Sequence, residues 1–195
     1  KSASDGDELY VYLSTPSITN SKIKKFPKGY NDKSVTDSSN FAKFAKKSDL
    51  VIGSFVFDEV PNVNYIEQKI FRHKLWEIVT AMKITKTGGS LIIKFDELYT
   101  NVSVNIIELL GIFYEQVSIF KPYTSRPSLS ERFIICKGFH GPNIKIIGKI
   151  EALLSEMESR ENGDMFLYSI ADDFSHDESF RNMVNMSSIK LSNEQ

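Results

Sequence analysis

GGSLIIKF (88–95) and KPYTSRPSLSERFIICKGF (121–139) are the two segments that decide the fold. Lys94 ends one apolar run, and Glu131 stands just before another. If the first run is a parallel strand and the second is its antiparallel neighbour, the end of one lies beside the start of the other. We therefore predict that Lys94 and Glu131 meet at the carboxyl edge of a sheet, where open α/β sheets bind ligands.

Short apolar runs alternate with helical periodicity along the rest of the chain, which is typical of a wound α/β sheet. The stretch 17–32 is polar and lysine-rich, and we predict a connection there with at most a short helix. The last two strands are joined by a loop, so they should form the antiparallel end of the sheet. The predicted strands are 9–14, 49–55, the Lys94 strand, 116–120 and 132–137, and the predicted helices are 38–47, Ile66 up to a stop at Thr87–Gly89, 101–113, 143–159 and 173–186.

The composition fits a protein without disulfides or membrane spans. The chain has 195 residues, of which 41% are hydrophobic, so it can bury a core of ordinary size. Its single cysteine, Cys136, lies inside an apolar run and is predicted to be a small buried side chain. No apolar run approaches the roughly 18 residues that a membrane span needs, so we expect an intracellular protein with no membrane partner.

Charge is distributed unevenly along the sequence. Residues 1–150 carry a net charge of +6, whereas residues 151–195 carry −7. A nucleic-acid-binding face would therefore belong to the first part, although scattered lysines are also compatible with ordinary solvated surface. We predict a main domain over 1–140 and a helical, acidic extension over 141–195 that packs on it.

The quoted segments resemble the FtsJ-like ribose 2′-O-methyltransferases, and most of all their eukaryotic mRNA cap-1 branch. The motif KPxxSRPxxSE, leading into a strand that ends CKGF, carries the resemblance, which extends over about 30–139. It implies an α/β, Rossmann-like methyltransferase sheet that is mostly parallel with an antiparallel final strand. It also implies S-adenosylmethionine as cofactor and RNA, specifically the capped 5′ end of mRNA, as partner. The family's N-terminal strand and cofactor loop are not recognised in this sequence.

The chemistry implied by the resemblance is methyl transfer to a ribose 2′-hydroxyl, which needs a group that accepts the hydroxyl proton. The family uses a Lys-Asp-Lys-Glu tetrad for this purpose. Lys94 matches its second lysine, the general base, and Glu131 matches the glutamate that orients it. Ser54 stands where the family has its aspartate. Asp58 and Glu59 follow closely and are either substitutes for that aspartate or solvated loop carboxylates.

The cofactor site implied by the resemblance departs from the family pattern. No glycine-rich loop precedes the strand at 9–14, and Ser34 stands where an acidic residue would lie near the adenine. With Ser54, this makes two serines at acidic cofactor-binding positions. We therefore expect that the 195-residue chain alone binds no S-adenosylmethionine.

The loop between the last two strands matches the family segment that lies against RNA. Four of its residues are candidates for phosphate and ribose contacts: Lys121, Ser125, Arg126 and Ser130. The alternative interpretation is a rigid proline-containing hairpin with exposed cations that braces Glu131. The three histidines show no metal-ligand spacing, so no metal site is expected.

Three classes of function remain open at this point. The chain can belong to an active cap methyltransferase, or to an inactive relative that binds RNA or supports another protein subunit. It can also be an interaction domain that uses its acidic C-terminal part against a basic partner. A cellular cap-1 enzyme would be nuclear, and any other assignment favours the cytoplasm.

Overall fold

A computed structural model describes residues 10–12, 23–25, 46–54, 66–126, 130–159, 170 and 178–193. The described residues contain strands on the N-terminal side and helices interleaved with strands thereafter. In chain order the elements are β1 (Tyr10–Tyr12), β2 (Ile23–Lys25), β3 (Ser48–Gly53), α1 (Ile66–Ile84), β4 (Thr85–Phe95), α2 (Asn101–Phe113), β5 (Tyr114–Phe120), β6 (Arg132–Phe139), α3 (Ile144–Ser159) and α4 (Glu178–Asn193).

The strands form one mixed sheet in the order β2-β1-β3-β4-β6-β5. The first four strands in this order are parallel to one another, and β6 is antiparallel to both β4 and β5. This confirms the predicted α/β sheet with an antiparallel end. Its register pairs Lys94 with Phe133 and Phe95 with Arg132, so the end of β4 lies beside the start of β6.

The core lies between the sheet and the helices α1, α2 and α3. Helix α1 packs against β3, β4 and both other helices, and its side chains from Leu75 to Met82 are buried. From the predicted C-terminal extension, α3 adds Ile150 and Leu154 to the same core. Cys136 is fully buried, as predicted, and burial raises the pKa of its thiol to about 12. The division of the chain at residue 140 stays a prediction.

One strand was not predicted. Ile23–Lys25 forms β2 within the stretch 17–32, which was interpreted as a connection, so that interpretation was wrong at these residues. Among the described strands, β2 pairs only with β1 and forms the edge of the sheet. Edge strands tolerate lysines, and charged edges discourage pairing with other chains. A lysine-rich composition therefore concealed a strand.

The end of the long helix also differs from the prediction. Helix α1 ends at Ile84 and β4 begins at Thr85, so Thr87–Gly89 lies inside the strand and does not stop the helix. Gly88 has φ of +79°, and a Cβ on Gly89 would lie 2.6 Å from Thr85 Cγ2. The two glycines therefore accommodate the irregular register between β3 and β4 near Ser48.

The remaining boundaries shift by a few residues. Lys46 and Lys47 form a turn outside any helix, and the rest of the predicted helix 38–47 lies outside the described residues. Strands β5 and β6 are longer than predicted. Helix α4 continues past the predicted end at 186 to Asn193, and the predicted residues 173–177 lie outside the described residues. Helix α2 has the predicted bounds. Among the described helices, no helix has the length and apolar character that a membrane crossing requires.

Candidate functional site

Lys94 and Glu131 form an ion pair at the carboxyl edge of the sheet. The distance from Lys94 Nζ to Glu131 Oε1 is 3.1 Å, and the two side chains are 18% and 23% exposed. The antiparallel register creates this contact, because it places the last residues of β4 against the first residues of β6. The predicted juxtaposition is therefore present, while the catalytic role of the pair stays a prediction.

The second oxygen of the Glu131 carboxylate is held by the loop between β5 and β6. Ser125 Oγ donates to Glu131 Oε2 at 3.2 Å, and the Ser125 backbone N–H donates to the Pro122 carbonyl at 2.9 Å. A hydrogen-bonded turn thus fixes the serine that orients the carboxylate. This contact supports the bracing interpretation of the loop, and an RNA contact by Ser125 stays a prediction.

The other loop candidates lie close in the chain but in different surroundings. Arg126 is exposed, Lys121 is half-buried, and the Ser130 hydroxyl donates to the Glu97 carboxylate. Two cations therefore lie in the turn region next to the ion pair. Their contact with RNA also stays a prediction.

Ser54 directly follows β3 beside the Lys94 strand. Gly53 pairs with Ile93, so the next residues in register are Ser54 and Lys94. The structure thus places Ser54 at the same edge as the ion pair, half-buried. Ser34, Asp58 and Glu59 lie outside the described residues.

The structure describes three residues at the carboxyl ends of β1 and β3, namely Tyr12, Gly53 and Ser54. None of these residues is Asp or Glu, so none offers a carboxylate that could accept hydrogen bonds from the amino group or ribose hydroxyls of the cofactor. The absence of a side chain at Gly53 opens no space for a ligand, because an added Cβ would lie 3.1 Å from the Glu77 carboxyl carbon. Gly53 therefore serves the packing of β3 on helix α1.

A buried carboxylate fixes the chain immediately after Lys94. Glu67, in the first turn of α1, is 6% exposed. Its oxygens accept from the backbone N–H groups of Tyr99 and Thr100 at 2.8 and 2.9 Å, and from the hydroxyls of Thr100 and Ser103. Thr100 is also the N-cap of α2. These bonds hold the connection from β4 to α2, and with it the end of the Lys94 strand.

Glu97 links this connection to the start of β6. Burial raises the pKa of the Glu97 carboxyl, and the charges of Glu67 and Asp96 raise it further. The Arg132 guanidinium and the hydrogen bond from Ser130 act in the opposite direction. Glu97 therefore lies near the carboxylates of Glu67 and Asp96, and also near Ser130 and Arg132 on either side of Glu131.

Glu97→Gln is expected to raise the urea midpoint of unfolding at pH 7. A carboxyl whose pKa is raised in the folded state destabilises the fold when it is ionised, above the folded pKa, and the cost disappears as the pH falls. Glutamine removes the negative charge and can still accept from Ser130. Urea titrations between pH 4.5 and 8 should show a flatter pH dependence in the variant, whereas Glu115→Gln, an exposed carboxylate on β5, should leave it unchanged. A lower midpoint at pH 7 in Glu97→Gln would contradict the inferred repulsion.

Sequence reasoning missed Glu67 and Glu97. The signal for Glu97 was its position three residues after Lys94, just beyond the end of β4. Glu67 carried no local signal, because its partners lie 32 to 36 residues away in sequence. Such a long-range contact can be identified only from the packing of α1 beside β4.

Comparison with known proteins identifies the family to which this fold belongs. The FtsJ-like methyltransferase family model matches residues 17–139, which is more than half of the chain. The chain therefore belongs to the FtsJ-like methyltransferase family.

Curated relatives cover smaller parts of the sequence. Cap-specific mRNA (nucleoside-2′-O-)-methyltransferase 1 of Danio rerio is 45% identical over 64 residues, 33% of this chain and 8% of that protein. Two Caenorhabditis briggsae proteins match over 116 residues, 57% of this chain. They are Cap-specific mRNA (nucleoside-2′-O-)-methyltransferase 1A, 31% identical, and Inactive cap-specific mRNA (nucleoside-2′-O-)-methyltransferase 1B, 28% identical. The chain spans 8 to 14% of the length of these three relatives.

A solved structure is also similar at low identity. It is a putative ribosomal RNA methyltransferase from Plasmodium falciparum, matched with a TM-score of 0.46 and 17% identity over 69% of this chain and 73% of that one.

Proposed function

We propose that this chain forms the RNA-binding edge of a ribose 2′-O-methyltransferase that acts on the capped 5′ end of mRNA. The observation that carries the proposal is the ion pair between Lys94 and Glu131, with 3.1 Å between Nζ and Oε1 at the carboxyl edge of the sheet. The names of the zebrafish and nematode relatives support capped mRNA as the substrate class.

The residues of the ion pair can orient a ribose hydroxyl and take part in its deprotonation. A secondary alcohol is a poor nucleophile, so it needs both orientation and a partner for its proton. In this proposal Lys94 acts as the neutral amine, which forms when the ammonium of the ion pair gives a proton to solvent. The lone pair of Nζ then accepts the hydroxyl proton while the ribose oxygen takes the methyl group. Glu131 holds the amine in place, and Ser125 holds Glu131 through its second carboxylate oxygen. The described residues therefore provide the substrate half of the reaction.

A second candidate function is RNA binding without catalysis. The observation that favours it is Ser54, which stands beside the Lys94 strand where the family has an aspartate. The inactive nematode relative shows that this branch includes members named as inactive. Such a chain would bind capped RNA or support another protein subunit, in the nucleus if it serves cellular mRNA caps and otherwise in the cytoplasm.

Binding of capped RNA by the full-length natural protein tests the shared part of both candidates. Arg126→Ala should weaken the affinity about five- to tenfold and reduce the salt dependence by about one counterion, as loss of one phosphate contact does. Lys145→Ala, an exposed cation on α3, is the matched control and should change neither quantity. Fluorescence anisotropy at several salt concentrations measures both.

A 2′-deoxy version of the same oligonucleotide tests the ribose contact. The wild-type protein should prefer the RNA, and Lys94→Ala should reduce that preference. Equal affinity of the wild-type protein for both oligonucleotides would contradict a ribose at Lys94.

A further inference from the structure

Tyr123 projects from the tip of the turn that holds the ion pair. The hydrogen bond from Ser125 N–H to the Pro122 carbonyl, 2.9 Å long, makes Tyr123 and Thr124 the two central residues of a β-turn. The Tyr123 side chain is fully exposed, at 103%. Because Ser125 also bonds to Glu131, the backbone that carries Tyr123 is tied to the Lys94–Glu131 pair. An exposed aromatic ring therefore has a defined position near the proposed ribose site.

Two further aromatic rings lie between this turn and Lys94. The register places Lys94 opposite Phe133, and Phe133 opposite Phe120, in one row across the sheet. Phe120 is 45% exposed and Phe133 is half-buried. Residues directly opposite in antiparallel strands have Cβ atoms about 5 Å apart. An aromatic row thus leads from the amine of Lys94 towards the turn at Tyr123.

The turn also combines this ring with positive charge. Lys121 and Arg126 flank Tyr123 in sequence, and Arg126 is exposed. A cation near an exposed aromatic face suits a nucleotide, because the base can stack on the ring while the phosphate contacts the cation. The Tyr123 ring is not buried in the free protein, so packing within this chain does not explain an aromatic residue at this position. Tyrosine and arginine also occur in protein interfaces, but the adjoining ribose site favours a nucleic acid.

The geometry points to Tyr123 as a stacking platform for a nucleobase of single-stranded RNA, in the nucleotide next to the one whose ribose lies at Lys94. This inference rests on the proposed function and deepens it, because it names a residue that contacts a base. Stacking on a π-face tolerates every base. Tyr123 therefore adds affinity and fixes the position of the strand without selecting a sequence.

The experiment uses the full-length protein and a short, fluorescently labelled capped RNA. Tyr123→Ala should weaken binding about tenfold, within the range found for the loss of one stacked base. Tyr123→Trp should retain the affinity, because it retains a π-face. Thr124→Ala changes the other central residue of the same turn and is the matched control, with no change expected. Circular dichroism spectra and unfolding curves establish that the variants fold alike.

An abasic nucleotide separates stacking from a structural role. Placed next to the target nucleotide, it should weaken binding by the wild-type protein and have little effect on Tyr123→Ala. If Tyr123→Ala lowers the affinity for abasic and intact RNA equally, the residue acts through the turn and the stacking inference is wrong. If Tyr123→Ala binds as tightly as the wild type while Arg126→Ala binds more weakly, the inference fails and the proposed function stands. If no capped RNA binds, the inference and the proposed function both fail.

Discussion

Lys74→Met is expected to lower the free energy of unfolding by about 3 to 5 kcal/mol, because it removes one partner of a buried ion pair. Lys74 Nζ lies 3.0 Å from Glu77 Oε2 on helix α1, and the side chains are 1% and 0% exposed. The remaining carboxylate must then stay charged in the core or become protonated. Both outcomes cost free energy, because a buried carboxylate lacks the hydration that stabilises an exposed one.

The double variant Lys74→Met/Glu77→Leu should recover most of this loss. Apolar residues of similar volume often replace a buried ion pair without cost, because neither charge then has to be desolvated. We expect the double variant to lie within about 2 kcal/mol of the wild type. Lys145→Met, at an exposed position of α3, is the control and should stay within about 0.5 kcal/mol.

Urea unfolding followed by tryptophan fluorescence measures these differences. Trp76 is the single tryptophan of the chain and lies in α1 beside the pair, so it reports on this region. A single variant that unfolds within about 1 kcal/mol of the wild type would contradict the cost assigned to breaking this buried ion pair. So would a double variant that is less stable than the single one.

The buried pair also bears on the candidate site. The Glu77 carboxyl group packs against Gly53 at the end of β3, where an added Cβ would lie 3.1 Å from it. Lys74 Nζ lies 5.9 Å from the centre of the Phe95 ring, and Phe95 is the residue after Lys94. The pair thus contacts the ends of both strands that carry Ser54 and Lys94. We expect variants that shift it to disturb the site as well as the core.

The sequence was sufficient to predict the meeting of Lys94 and Glu131 once the two apolar runs were taken as neighbouring antiparallel strands. A parallel strand that ends in lysine and an antiparallel neighbour that starts after glutamate leave little freedom in register. The fold class followed from the same periodicity. The residues that support the pair were not predictable in this way, since the contacts of Glu67 and Glu97 depend on how α1 and the connection after β4 pack.

The errors have physical causes as well. Segment β2 was missed because lysines flank its isoleucine, and an edge strand needs only one partner to form. The end of α1 was placed too late because Gly88 and Gly89 resemble a helix stop. In the structure they adapt the register of β4. The two glycines therefore indicated an irregularity in the backbone, but not that it lies in β4 and not at the end of α1.

Ser54→Asp is expected to raise methyl transfer to capped RNA at least about tenfold in the full-length protein, if the first candidate function is correct. The register of β3 and β4 brings residue 54 next to Lys94. A carboxylate there would supply the aspartate of the family tetrad beside the amine. Incorporation of a radiolabelled methyl group into capped RNA measures the effect. Ser54→Asn has a similar size without the charge, serves as the matched control, and should leave the rate unchanged.

Lys94→Ala in the Ser54→Asp background should then remove the gain and lower transfer by at least about 100-fold, because a general base contributes about 10²- to 10⁴-fold. The same substitution should leave the unfolding midpoint nearly unchanged, since a partly exposed ion pair contributes little to stability. Transfer that survives Lys94→Ala would place the catalytic base elsewhere. If no variant transfers a methyl group but capped RNA still binds and Arg126→Ala weakens it, the second candidate is correct. Lys94 and Glu131 then hold the ribose without reacting with it.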